Sequence, residues 1–213
     1  MNWLTSTLGS SIGKKLMMAV TGLGFIGFLA GHLAGNLTIY GGKDAFNSYA
    51  EHLHALGPLV TAAELGLLTF ALIHVLTGLT LFYQNLTARP QRYAVQKKHG
   101  GRTLASQLMP YTGLLILLFV IFHLFDFHFV DKTHTTIFEI VANAFTNPAY
   151  VFIYVTAMVV VALHITHGFW SLFQTLGANH PKYMPFLMSA SLVIALLFGF
   201  GFGFLPIYIS LLA

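Results

Sequence analysis

The chain has no cysteine and very little charge. Without cysteine among its 213 residues it can form no disulfide, hold no iron–sulfur cluster through its own thiolates and run no thiol chemistry. Charged residues make up 8% of the chain, against roughly 25% in an ordinary soluble domain. So few charges cannot solvate a globular surface. With 56% hydrophobic residues and a mean hydropathy of +0.76, the composition excludes a soluble domain and points to an all-α membrane protein. Low-complexity stretches and linkers are also missing, so residues 1–213 are expected to form one helical domain. Acidic residues number only six, and the formal charge is +4. The basic residues lie between apolar runs, where positive charge reports topology, and nucleic acid is not an expected partner.

What the chain does have is five apolar stretches, each near the roughly 20 residues that cross a bilayer. They cover approximately residues 16–38, 62–85, 109–130, 149–173 and 186–211. Lys14 and Lys15 precede a run too long for the apolar part of a signal peptide, and no small-residue cleavage site follows, so the first stretch is expected to stay as a helix. The gaps carry turn formers and nearly all the charge, as in Gly41-Gly42-Lys43-Asp44, Asn147-Pro148 and Asn179-His180-Pro181-Lys182. Sorted by alternate sides, Lys14, Lys15, Arg89, Arg92, Lys97, Lys98, Arg102 and Lys182 fall together, with only Lys43 and Lys132 opposite. The positive-inside rule then puts the N-terminus in the cytoplasm and the C-terminus outside. All six acids, Asp44, Glu51, Glu64, Asp126, Asp131 and Glu139, fall on or near the outer side. The basic segment 89–102 is the expected cytoplasmic docking surface.

Histidine occurs eleven times, and a polar side chain inside an apolar span calls for a specific reason. His32, His74, His123 and His164 sit well within four successive spans, at separations of 42, 49 and 41 residues. Successive helices run in opposite directions, so depth is counted from each outer end: about 6 residues for His32, 7 for His123, 12 for His74 and 15 for His164. The four form an outer and an inner pair, each drawn from two helices, which is what two imidazoles need to grip one haem iron from opposite faces. Gly78 and Gly168 each lie four residues beyond an inner histidine, leaving a bare turn against which a porphyrin could rest. Gly27, Gly31 and Gly35 flank His32 and suit either a ring or a neighbouring helix. His167 and His128 rank second as ligands. His52, His54, His99, His134 and His180 fall at loops or interfaces, where solvation or hydrogen bonding explains them.

Several stretches carry a resemblance. Gly31-His32-Leu33-Ala34-Gly35-Asn36-Leu37, Phe46-Asn47-Ser48-Tyr49-Ala50-Glu51-His52-Leu53-His54, Ala88-Arg89-Pro90-Gln91-Arg92-Tyr93 and His164-Ile165-Thr166-His167-Gly168-Phe169-Trp170 resemble, in order and spacing, the five-helix, two-haem cytochrome b subunit of succinate dehydrogenases and fumarate reductases. The resemblance covers essentially the whole chain. It implies four helices in a haem-binding bundle, with His32 and His123 as axial ligands of the outer haem b and His74 and His164 of the inner one. It also implies a bacterial inner-membrane location, a flavoprotein with FAD and an iron–sulfur subunit on the cytoplasmic face, and quinone, expected to be menaquinone, as the other electron partner. Where some members carry a glutamate two residues before the last ligand, this chain has Ala162, so a proton route of that kind is not implied.

Quinone reduction consumes protons, so a titratable group is needed near the outer haem. Glu51 is the first candidate, in a polar and aromatic segment with Asn47, Tyr49, His52 and His54, and His54, Glu64 and Asp126 follow. A solvated acid in an outer loop is an equally good account of Glu51. Other readings stay open: a two-haem cytochrome b of another membrane oxidoreductase such as a hydrogenase, a haem-free anchor, or a histidine-lined metal or proton transporter.

Overall fold

The computed structural model describes residues 2–88 and 103–212, and the described residues form helices and turns without a strand. Arg89, Arg92, Lys97, Lys98, His99 and Arg102 lie outside the described residues. Five helical segments are long and apolar enough to cross a membrane: Ser11–Gly41, Pro58–Thr87, Leu104–His128, Pro148–Thr175 and Met184–Leu212. These are the five stretches anticipated from hydropathy, each reaching further at one end or both. The extensions follow from polar caps that hydropathy does not see. Ser10 Oγ accepts from the Gly13 N–H at 3.0 Å and Thr103 Oγ1 from the Ser106 N–H at 3.1 Å, which satisfies backbone donors at the helix starts.

In chain order the helices are α1 (Trp3–Gly9), α2 (Ser11–Leu37), α3 (Lys43–Ala55), α4 (Pro58–Thr87), α5 (Leu104–His123), α6 (Ile137–Phe145), α7 (Pro148–Thr175) and α8 (Met184–Leu212). A 3₁₀ turn, Thr38–Gly41, prolongs α2, and one π-helical turn, Leu124–His128, prolongs α5. Gly42 and Gly57 bracket α3 at φ of +89° and +52°, backbone states that a side chain would resist. Helix α7 packs most closely on α8, while α2 lies against α4, α7 and α8, and α5 against α7. Small residues permit the α7–α8 crossing: a Cβ on Gly199 would stand 3.0 Å from the Ala162 Cβ. Ala162 therefore faces α8 at a close approach. Ser191, fully buried on α8, donates to the Thr166 carbonyl of α7 at 2.6 Å.

Two apolar clusters lie along the bundle. Leu33, Met158, Val161, Ile165, Ala195 and Phe198 fill its middle, and Ile39, Phe46, Phe145, Tyr154, Leu205 and Ile209 close the end where α3 and α6 sit. Leu65, Leu68, Leu72, Leu76 and Leu79 of α4 are exposed at helical spacing, a surface suited to lipid.

Candidate functional site

Helices α2 and α5 bring the outer histidines together. The rings of His32 and His123 lie 5.9 Å apart between centres with their planes at 86°. Two imidazoles bonded to one metal from opposite sides, with metal–nitrogen bonds of about 2 Å, have ring centres roughly 6 Å apart. Aromatic side chains enclose this pair. Phe28 stacks on His32 at 5.2 Å, and Phe119, Phe127 and Tyr154 surround His123 at 5.8, 5.3 and 6.0 Å. Nδ1 of His123 is buried with no hydrogen-bond partner among the described residues. On His32 it is Nε2 that meets a neighbour, the Asn36 amide at 3.4 Å, and the same amide donates to the His32 carbonyl at 2.8 Å.

The inner histidines come from α4 and α7. Their surroundings are different. Nδ1 of His74 is 3.0 Å from the Thr21 hydroxyl of α2, and Nδ1 of His164 is 3.0 Å from the Thr112 hydroxyl of α5. Each ring also lies over a glycine of the same neighbouring helix: a Cβ on Gly22 or Gly113 would be 3.5 Å from the facing Cε1. Phe25 meets the His74 ring edge-on at 5.6 Å. Thr21 and Thr112 are buried, and the residue-by-residue reading of the sequence missed both. A signal existed. Thr21-Gly22-Leu23 stands eleven residues before His32, and Thr112-Gly113-Leu114 stands eleven before His123.

The glycines divide into two kinds. A Cβ on Gly168, Gly27 or Gly31 would meet nothing within 4 Å, and one on Gly78 would meet only the Met18 Cε at 3.9 Å. Their helix faces are open, as a flat ring requires. Gly35 differs, because a Cβ there would be 2.5 Å from the Tyr49 ring, so it serves the docking of α3.

Among the described residues no three His, Cys, Asp or Glu side chains gather into a metal cage. His32 and His123 instead stand as two imidazoles from separate helices, a donor set that would hold a haem iron. Of the second-rank histidines, His167 has a buried Nδ1 without a partner among the described residues and abuts Trp170 at 4.8 Å. His128 is exposed, 3.8 Å from Glu64.

Glu51 does not lie in a loop, contrary to the reading of its segment as an outer loop. Residues 43–55 form α3, an amphipathic helix that buries Phe46 and leaves Glu51, His52 and His54 exposed. Thirteen residues are too few to span a membrane, so a search for spans passes over such a helix. Nδ1 of His52 donates to the Ser48 carbonyl and Nδ1 of His54 to the Ala50 carbonyl, both at 2.7 Å. Helix α6 fastens α3 from above. Lys43 Nζ donates to Glu139 Oε1 at 2.8 Å, and Asn47 Oδ1 accepts from the Phe138 N–H at 3.0 Å. Glu139 also closes a capping box with Thr136. Its carboxyl is pulled down to about 2, first by the Lys43 hydrogen bond and then by the Thr136 backbone and hydroxyl. Near His123, the Tyr154 hydroxyl donates to Asp126 Oδ2 at 2.7 Å.

The chain is 28% identical over 154 residues to the succinate dehydrogenase cytochrome b558 subunit of Bacillus subtilis (strain 168), covering 70% of this chain and 72% of that one. No protein-family model and no solved structure matches it. The five apolar helices and this similarity point the same way: the chain is similar to a succinate dehydrogenase cytochrome b subunit.

Proposed function

We propose that the chain is the two-haem membrane anchor of such a complex, carrying electrons between an iron–sulfur subunit and quinone. The observation that carries this reading is the meeting of His32 and His123 from separate helices, ring centres 5.9 Å apart. Haem b groups, when bound, supply one-electron relays whose potentials depend on axial ligands, burial and nearby charge. In this chain His32 and His123 would hold the outer haem, and His74 and His164 the inner one. Gly78 and Gly168 would leave bare turns beside the inner ring, and Phe28, Phe119 and Phe127 would keep water from the outer ligands.

With the N-terminus in the cytoplasm, the inner pair faces the flavoprotein and iron–sulfur partners, and the basic segment 89–102 offers them a docking surface. The location that follows is a bacterial inner membrane, with quinone, expected to be menaquinone, at the outer side. There Glu51 would give or take a proton at its carboxylate. Asp126 is the second candidate, since its hydrogen bond to Tyr154 places it one ring away from His123.

A pyridine haemochrome assay with reduced-minus-oxidised spectra, on the chain purified with its partners, tests the reading. Two b haems per chain are expected. One haem, or none, overturns the pairing, and none returns the chain to the haem-free anchor or transporter readings.

A further inference from the structure

The neighbours of the inner histidines go beyond holding space. The Thr21 hydroxyl, with a single proton, lies 2.7 Å from the Met17 carbonyl, the usual intrahelical acceptor four residues back. With that proton committed to the carbonyl, the 3.0 Å contact with His74 Nδ1 is left for the ring to donate. Thr112 repeats the arrangement, 3.0 Å from the Leu108 carbonyl and 3.0 Å from His164 Nδ1. A neutral imidazole with its proton on Nδ1 keeps the Nε2 lone pair free for a metal.

The repeat has a geometric reason. Eleven residues of α-helix complete three turns to within about 20° and rise about 16 Å. Thr21 therefore sits on the same face of α2 as His32, one level deeper, and Thr112 stands likewise to His123 on α5. From threonine to inner histidine the separations are 53 and 52 residues, and Gly78 and Gly168 complete the correspondence four residues later. Helices α2 with α4 and α5 with α7 thus repeat the same spacing, each carrying one outer histidine, one inner histidine and one threonine.

We infer that Thr21 and Thr112 are positioning residues that fix the tautomer and ring orientation of His74 and His164, a device built twice and confined to the inner haem. This rests on the two-haem reading. A histidine that donates through Nδ1 is a more basic ligand through Nε2. It favours the oxidised iron, so each threonine lowers the inner potential.

The test uses Thr21→Val, Thr112→Val and the corresponding serine variants in the full membrane complex. Haem content and the two midpoint potentials are read by spectra at controlled potential, with His74→Ala and His164→Ala identifying the inner haem. Each valine variant should raise the inner midpoint by about a tenfold shift in the oxidised-to-reduced ratio, ~59 mV for one electron, with the outer midpoint unmoved and serine restoring the parent value. Where valine loses the inner haem, serine should keep it. An unchanged inner midpoint, an equal shift of both haems, or failure of serine to rescue would overturn the inference. A parent complex without two haems would instead overturn the proposed function.

Discussion

The outer and inner histidine pairs sit in one bundle but are held by different forces. His32 and His123 lie among aromatic rings, next to the π-helical turn Leu124–His128, with Nδ1 of His123 unpartnered among the described residues. His74 and His164 are each tied by a hydrogen bond to a buried threonine and lie over a glycine. Stacking excludes water but leaves a ring free to turn about its Cβ–Cγ bond. A hydrogen bond from a neighbouring helix also holds the angle of the ring. Of the outer pair, His32 meets only the Asn36 amide of its own helix at 3.4 Å, whereas both inner histidines are held from a neighbouring helix.

Removing a ligand gives the largest effect that can separate the pairs. His74→Ala or His164→Ala should reduce two haems to one, sparing the outer spectrum, and His32→Ala or His123→Ala should do the reverse. The cavity left behind will also weaken assembly, by an amount on the order of 2–5 kcal/mol if it resembles other large-to-small core changes. Retention of both haems by His164→Ala with loss of one in His167→Ala would transfer the ligand role by one turn.

A proton group at the outer end should matter for turnover and not for haem content. Glu51→Gln should keep both haems and normal dye-linked dicarboxylate activity, while quinone-linked turnover falls by a factor on the order of 10². Near-normal quinone turnover would shift attention to Asp126→Asn, whose carboxyl reaches Tyr154 beside His123.

Filling the bare turns tests the inner pair more gently. Gly168→Leu should lower inner haem occupancy and leave the outer haem at parent level, measured by the same haemochrome and spectral assays. Equal loss of both haems would mean that the open face at Gly168 serves general packing.

The smallest effect belongs to the exposed ion pair that ties α3 to α6. Lys43 and Glu139 are about half exposed, at 49% and 47% of their side-chain surface, and water screens such a pair. Because the Glu139 carboxyl is lowered from 4.5 to about 2, its contribution is present above the ordinary carboxylate range and fades as pH falls from about 4.5 towards about 2. Glu139→Gln should cause only a slight loss of thermal stability at pH 7. That loss should vanish near pH 2, as thermal unfolding at the two pH values would show.

Hydropathy and histidine spacing made the five spans, the meeting of His32 with His123 and the family resemblance legible in the chain, because span length and polar residues in hydrocarbon are constraints on single segments. Helices α3 and α6 were not legible. They are short and amphipathic, and their reason for forming, Phe46 and Phe145 buried in one cluster, exists only once α7 and α8 are in place. The roles of the three spaced glycines were likewise settled by neighbours: Tyr49 comes to Gly35, while Gly27 and Gly31 stay open. Most telling is the threonine pair. The Thr-Gly-Leu repeat stands in the sequence, but a threonine in an apolar helix ordinarily satisfies its own hydroxyl on the preceding turn. Only the approach of α4 to α2 and of α7 to α5 puts a ring nitrogen 3.0 Å from each hydroxyl, a contact between residues more than fifty positions apart that no local pattern specifies.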